Sequence, residues 1–397
     1  MNRGFRIGHL FGIDIDVDWS WLVIFFLVTW NLASGLGHLH DGWSQFTVWG
    51  IAVVAALLFF GSVLAHELAH SLFARSRGVP VRAITLFLFG GVSNIEKEPD
   101  SPRAEFVMAI LGPVTSLMIG FVLLSVTGLV TGPLEGVVAD PTEAVRGLGP
   151  LSTVLLWLGS INIILGIFNL VPGFPLDGGR VLRSAVWAIT GDLRRATRVA
   201  SWAGQGVGLV FILSGISMVF GAWVPFFGTG IGGLWLAFIG WFLHSAATRS
   251  YHQIVVRDIL GDVPVSSMAI DDPPTVSAGL SVSDLVHDHI MRSDDHAFPV
   301  VEGSRFLGLV TLGDVRSIAR EEWDETIVED IMTQSGELAT VSPDSSASDA
   351  LDMIVRRDVR QLPVLTEGRL MGLIRRRDIV RWLQFHSELG ARSRRQG

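Results

Sequence analysis

A charged motif sits inside an apolar run, and that placement constrains the chain more than any other feature. Residues 51–75 read IAVVAALLFFGSVLAHELAHSLFAR. No charge occurs from Ile51 to Ala65; His66-Glu67-Leu68-Ala69-His70 then precedes Arg75, the first interface charge. With the apolar residues ahead of it, the run is long enough to span a bilayer. At about 1.5 Å per helical residue, His66 lies roughly 13 Å from Arg75, so the motif falls within the hydrocarbon. Positions i and i+4 share a helix face, so His66 and His70 can hold one metal ion together. Glu67 lies one step round, where it can reach a water beside that ion. The alternative is a pair of satisfied core histidines with a chance glutamate. It buries a carboxylate in lipid at a cost of about 3 kcal/mol or more with nothing gained, so the metal reading is preferred.

Composition agrees with a membrane domain joined to a soluble one. The chain has 397 residues, 49% of them hydrophobic, and a mean hydropathy of +0.47. Residues 1–255 carry 14 acids and 14 bases; residues 256–397 carry 24 and 16. A neutral apolar part thus precedes an acidic soluble one, and neither offers the basic surface that nucleic acid requires. Cysteine is absent, which excludes disulfides, thiolate metal ligands and a cysteine nucleophile. Asp14, Asp16 and Asp18 precede the first apolar run, and no cleavable signal peptide is evident.

Taken in order, the apolar runs predict six spans, at about 19–36, 47–74, 104–131, 151–171, 199–221 and 228–247. A short polar N-terminus precedes them. Residues 79–98 are too short and too β-branched to span, and Gly90-Gly91 breaks them; they predict a strand pair or re-entrant β-loop beside the histidine helix. Gly112-Pro113 predicts a kink or close helix contact in the third span, and Gly204, Gly206 and Gly208 predict close packing in the fifth. Basic residues cluster at the N-terminus, at 75–103 and at 178–198, whereas the opposite loops hold only Arg146. The positive-inside rule then places both termini, the His66 end and the Asp177 end on the cytoplasmic side.

After Tyr251 the chain repeats itself. FPVVEGSRFLGLVTLGD (298–314) matches LPVLTEGRLMGLIRRRD (362–378) at an offset of 64, and VRDI (256–259) matches VEDI (328–331) at an offset of 72. Each copy reads as helix, strand, strand, helix, a unit that buries its face against its twin. The expected division is 1–250, 251–320, 321–386 and a polar basic tail, 387–397.

Two histidines leave a zinc ion short of the three protein ligands a catalytic site uses. Glu96, Glu98 and Asp100 fall in a charged, proline-containing cluster that reads better as a surface loop, and Glu105 is a further candidate. Asp177 is the preferred one. It stands in NLVPGFPLDGGR at the end of the fourth span, where Pro172, Pro175, Gly178 and Gly179 unwind the helix and allow close backbone approach. Its competing role is to cap the helix that follows.

HELAH in one span, with NLVPGFPLDGGR ending a later one, strongly resembles the site-2 proteases, membrane-embedded zinc metalloproteases. The resemblance covers about residues 1–250. It implies a polytopic α-helical membrane domain with His66, His70 and Asp177 as zinc ligands, Glu67 as general base and Asn169 assisting at the oxyanion. It also implies that the loop around Gly90 and Gly91 clamps the substrate, a transmembrane protein segment cleaved within the lipid bilayer. The C-terminal repeats resemble a tandem CBS pair, an α/β module that implies nucleotide-responsive regulation and dimerisation between chains.

In such pairs a G-h-h-[S/T]-x-x-D run holds an adenosine ribose. The first repeat has it complete, Gly308 to Asp314 with Thr311 and Asp314 as the gripping pair; in the second, Arg375 replaces the hydroxyl ahead of Asp378. At most one adenine nucleotide per pair is expected, with capping of a helix as the bland role for Thr311 and Asp314. The competing class for the whole chain is a CBS-regulated ion or zinc transporter. Glu67 discriminates against it, because transport needs no general base beside two ligands.

Overall fold

The computed structural model describes residues 4–95, 99–132, 145–225, 227–293, 295–303 and 305–393. Glu96 and Glu98 of the charged cluster, most of the 132–150 loop and the last four residues of the tail lie outside them. The chain divides into two compact units, Met1–His252 and Gln253–Gly397.

The first unit opens with two strands that the sequence reading passed over as a polar terminus. β1 (Gly4–Leu10) and β2 (Ile13–Asp18) form a hairpin. In β2 the alternation IDIDVD buries Ile13, Ile15 and Val17 and leaves the aspartates on the wetter face, the period-2 pattern of a half-buried strand. The predicted pair follows later as β3 (Val81–Phe87) and β4 (Gly90–Ile95), antiparallel as expected. β2 pairs with β3 in parallel, so one four-stranded sheet results, in the order β1-β2-β3-β4.

Helices α1 (Trp19–Leu39), α2 (Gln45–Ser76), α3 (Pro102–Thr131) and α4 (Pro150–Asn169) follow the predicted spans. Their starts are written locally. Asp18, Ser44 and Ser101 each cap the helix behind them with a side-chain oxygen, and Pro occupies the first turn of α3 and α4. After the Leu-Val-Pro-Gly-Phe-Pro turn come α5 (Asp177–Thr190), α6 (Leu193–Val219) and α7 (Gly232–Gly261). Among the described residues, α1, α2, α3, α4 and α6 are long and apolar enough to cross a membrane. The sixth expected span is helical from Gly232, within α7. The chain is a multi-pass membrane protein.

The sheet lies along the C-terminal half of α2. Ile13, Ile15, Val81 and Ile84 pack with Ala74, Leu64 and Leu68 of α2 and with Met108 of α3. Pro113 sits inside an uninterrupted α3. Gly208 of α6 faces the Gly240 carbonyl of α7, where an added Cβ would come within 2.7 Å, and Gly204 lies against the Phe174 backbone. Gly206 faces open space and carries no such contact.

In the second unit the repeat is visible in the register. β7 (Ala297–Glu302) pairs with β8 (Arg305–Thr311) from Ala297↔Thr311, and β10 (Gln361–Thr366) pairs with β11 (Arg369–Arg375) from Gln361↔Arg375, again 64 residues on. The lead strands are exchanged. β5 (Ile270–Asp271) pairs with β11, and β9 (Thr333–Gln334) pairs with β8, while β6 (Val276–Ser277) runs parallel to β7. Accordingly Leu260, Val265 and Met268 pack into a core with Ile354, Leu362 and Ile374 of the second repeat. Each repeat therefore completes the other. The last helix, Arg376–Ser393, continues into what the sequence reads as a tail.

Candidate metal centre

One turn of α2 and the first residue of α5 bring three donors together. His66 Nε2 lies 3.0 Å from Asp177 Oδ2, and His70 Nε2 lies 3.2 Å from the same oxygen. All three donor atoms fall within 4.8 Å of one another. The imidazoles are buried and Asp177 is 15% exposed. Asp177 does not cap its helix: the N-cap position is Leu176, and Asp177 is the first helical residue. Gly178 and Gly179 let α5 start directly against the Leu170–Phe174 backbone, where a Cβ on either would collide.

The far side of each imidazole is also held. His70 Nδ1 lies 2.6 Å from the Met108 carbonyl, and His66 Nδ1 lies 2.9 Å from Ser116 Oγ. A carbonyl only accepts, so His70 carries its hydrogen on Nδ1 and, when neutral, turns a lone pair at Nε2 toward Asp177. Electron-rich atoms at that distance require a positive charge among them, supplied by a bound cation or by protons on the rings. Gly112 of α3 leaves the room. A Cβ there would stand 2.6 Å from His66 Nε2 and closer still to His70 Nε2. The donor set, two imidazole nitrogens and one carboxylate with a side chain excluded from their common face, fits a zinc ion with an open position.

Glu67 is held from β4. Ser93 Oγ donates to Glu67 Oε2 at 2.8 Å and receives a hydrogen bond from Ser71 Oγ at 3.1 Å. Gly91 packs on the Glu67 side chain itself; an added Cβ would lie 2.5 Å from its Cγ. Gly90, at φ +126°, makes the turn into β4 and has open space beside it. The two expected clamp residues thus do different things: one turns the hairpin and the other seats Glu67. Asn169 ends α4 with its amide donating to the Leu165 carbonyl at 3.0 Å. Glu105, weighed as a ligand, is instead fully buried against Arg183, whose Nε lies 2.6 Å from Oε1. That ion pair joins α5 to α3 close to Met108.

Sequence reasoning missed Ser93, Ser116, the Met108 carbonyl and the Glu105–Arg183 pair, and gave Gly112 only as a place of kinking or close helix contact, which it makes with His66 and His70. Gly112 and Ser116 are small residues one turn apart, which is the available signal that this face of α3 lies against another helix.

In the second unit, Thr311 and Asp314 cap the helix Leu312–Arg316 reciprocally. Thr311 Oγ1 and its backbone N–H both donate to Asp314 Oδ2 at 2.8 Å, and the Asp314 N–H donates to Thr311 Oγ1 at 3.3 Å. The bland reading of that pair is therefore realised in this structure. Arg375 lies on the Asp378 carboxylate at 2.8 Å, a pairing the sequence reading did not foresee.

The family model for Peptidase family M50 matches residues 54–214, and the CBS-domain model matches 261–321 and 328–384. The chain is 33% identical over 387 residues to sll0528 of Synechocystis, assigned as a zinc metalloprotease, covering 97% of this chain and 96% of that protein. The chain belongs to the site-2 proteases of peptidase family M50. Rip3 of Mycobacterium tuberculosis, with the same assignment, is 33% identical over 389 residues, covering 97% of this chain and 94% of Rip3. A solved site-2 protease from Methanocaldococcus jannaschii is 27% identical, covers 62% of this chain and 95% of its own, and gives a TM-score of 0.41.

Proposed function

We propose that this site-2 protease hydrolyses peptide bonds in or near transmembrane segments of membrane-protein substrates, with His66, His70 and Asp177 holding one zinc ion and Glu67 acting as general base. The convergence of His66, His70 and Asp177 within 4.8 Å carries the reading. When bound, zinc supplies Lewis acidity at the open position, acidifying a water and polarising a carbonyl. The Met108 carbonyl and Ser116 hold the two imidazoles in place for that role. Ser93 orients Glu67, which accepts a proton and passes it to the leaving nitrogen.

A substrate helix has no spare backbone hydrogen bonds, so it must unwind before attack. β4 is a sheet edge beside Glu67, and an extended segment can pair with it there. Asn169 can assist the oxyanion only by releasing Leu165.

The membrane protease comprises about residues 1–250, followed by CBS repeats at 251–320 and 321–386 and the end segment 387–397. Both termini and the CBS pair are cytoplasmic. The pair binds one adenine nucleotide at Thr311 and Asp314 and mediates homodimerisation.

Purified full-length protein assayed for zinc and for cleavage of a transmembrane substrate tests the centre. Glu67→Gln is expected to keep one zinc per chain and lose at least about 100-fold in rate, the scale of a general base. Asp177→Ala and His66→Ala are expected to lose zinc as well. Normal cleavage by Glu67→Gln overturns the mechanism, and full zinc in Asp177→Ala overturns the ligand set.

A further inference from the structure

Resting on the zinc assignment above, we propose that the buried Glu105–Arg183 ion pair is a positioning device for the metal centre. It sets where α5 carries Asp177 against the face of α3 that holds His66 and His70. Glu105, Met108, Gly112 and Ser116 follow one another on α3 at spacings of three or four residues, and all four are buried. That spacing puts them in one stripe of the helix. Ser116 Oγ lies on His66 Nδ1, the missing Cβ of Gly112 leaves room at both Nε2 atoms, and the Met108 carbonyl accepts from His70 Nδ1. Two of the three ligands are thus fixed from α3 itself. Asp177 comes from a different helix, and Glu105, one turn before Met108, is where α3 takes hold of that helix.

Arg183 Nε donates to Glu105 Oε1 at 2.6 Å, and Arg183 Nη2 lies on the same oxygen. Glu105 has no exposed surface and Arg183 is 5% exposed. Arg180, one turn nearer Asp177, puts Nε 3.9 Å from that oxygen and Nη2 3.3 Å from Met108 Sδ. The Arg183 guanidinium also stands over the Phe174 ring, 5.4 Å from its centroid, in the turn that leads into Asp177. One side chain therefore touches α3 and the turn ahead of its own helix together.

Stability is a poor reason for this pair. The attraction between two buried charges offsets little more than their lost hydration, and apolar side chains of the same volume often do as well or better. What an apolar pair cannot supply is direction. A forked guanidinium on a carboxylate fixes angle as well as distance. Direction matters because Asp177 lies about 9 Å along α5 from Arg183, so a small tilt of the helix moves the carboxylate. Zinc holds its ligands to within about 0.2 Å, and such a tilt takes Asp177 out of reach.

Full-length protein in detergent tests this with three readouts. They are the zinc dissociation constant from chelator competition, the visible spectrum of the cobalt-loaded protein, which reports ligand geometry, and the unfolding midpoint of the metal-free protein. Glu105→Leu combined with Arg183→Met removes both charges at similar volume. It is expected to keep the wild-type midpoint, to bind zinc at least about tenfold more weakly and to shift the cobalt bands. Arg183→Lys keeps the charge and loses the fork; it is the second variant should the apolar pair not fold. It is expected to weaken zinc and shift the cobalt bands in the same direction by a smaller amount. Arg195→Met, at the exposed start of α6, is expected to change none of the three. Wild-type zinc affinity and cobalt spectrum in either folded variant overturn the proposal. So does weaker zinc binding that comes with a lower midpoint and an unchanged cobalt spectrum, the mark of a merely structural pair. Failure of the zinc assignment itself reads differently and takes the proposal with it: the wild type then does not bind one zinc per chain, or Asp177→Ala keeps it.

Discussion

Gly112 shows how much of this centre is decided by atoms that are not there. Its missing Cβ keeps the common face of His66 and His70 open. Gly112→Ala is expected to abolish zinc retention while the protein still folds, because alanine favours a helix over glycine by about 1 kcal/mol. Metal analysis of the purified variant, with its thermal unfolding measured alongside, checks this; one zinc per chain in Gly112→Ala would show that the ion sits elsewhere. The histidines and Glu67 were legible because one helical turn relates them in sequence. Asp177 was legible as a charge among glycines and prolines at a span end, and the capping alternative fell only when Leu176 took the cap position. Ser116, Met108 and Ser93 were not legible. They sit 50, 38 and 26 residues from the side chains they hold, and only packing sets those distances.

At the scale of elements, long apolar helices announced themselves and short strands did not. β3 and β4 were found because glycines split a β-branched run. β1 and β2 were missed because Asp14, Asp16 and Asp18 dominate a six-residue alternation, and a partner 69 residues away, β3, is needed to give its apolar face a use. That sheet matters to the site: it forms the scaffold whose edge strand carries Gly91 and Ser93 to Glu67. The helix order also fixes which loops share a side. The C-terminal end of α2 and the start of α5 meet at the candidate metal centre, and the proposal that both face the cytoplasm rests on the excess of basic residues beside them. The chain has no cysteine, so single cysteines can report this directly. Arg77→Cys is expected to react with membrane-impermeant maleimide only after cells are opened, and Gly147→Cys in intact cells. The reverse labelling pattern would invert the topology.

Across the whole molecule, the protease centre and the CBS pair belong to separate compact units, so regulation has to be tested as a property of the full chain. The repeat was plain in the sequence, but the exchange of lead strands was not, since the two-residue pairings β5–β11 and β9–β8 leave almost no pattern. Thr311 and Asp314 pose the sharper question. They already satisfy each other as a helix cap, so binding a ribose must trade those bonds for bonds to its hydroxyls. Asp314→Asn separates the two roles. The amide oxygen can still accept from the Thr311 N–H and hydroxyl, which keeps the cap within about 1 kcal/mol. It offers one acceptor oxygen where the carboxylate offers two, and it carries no charge. Asp314→Asn is therefore expected to leave thermal stability nearly unchanged and to weaken AMP binding at least about tenfold, since a hydrogen bond to a charged group contributes about 1.5–3 kcal/mol. Calorimetric titration of AMP into the full-length variant, beside its unfolding midpoint, reads both. Unchanged AMP affinity would remove Asp314 from ligand binding and leave the pair as a cap.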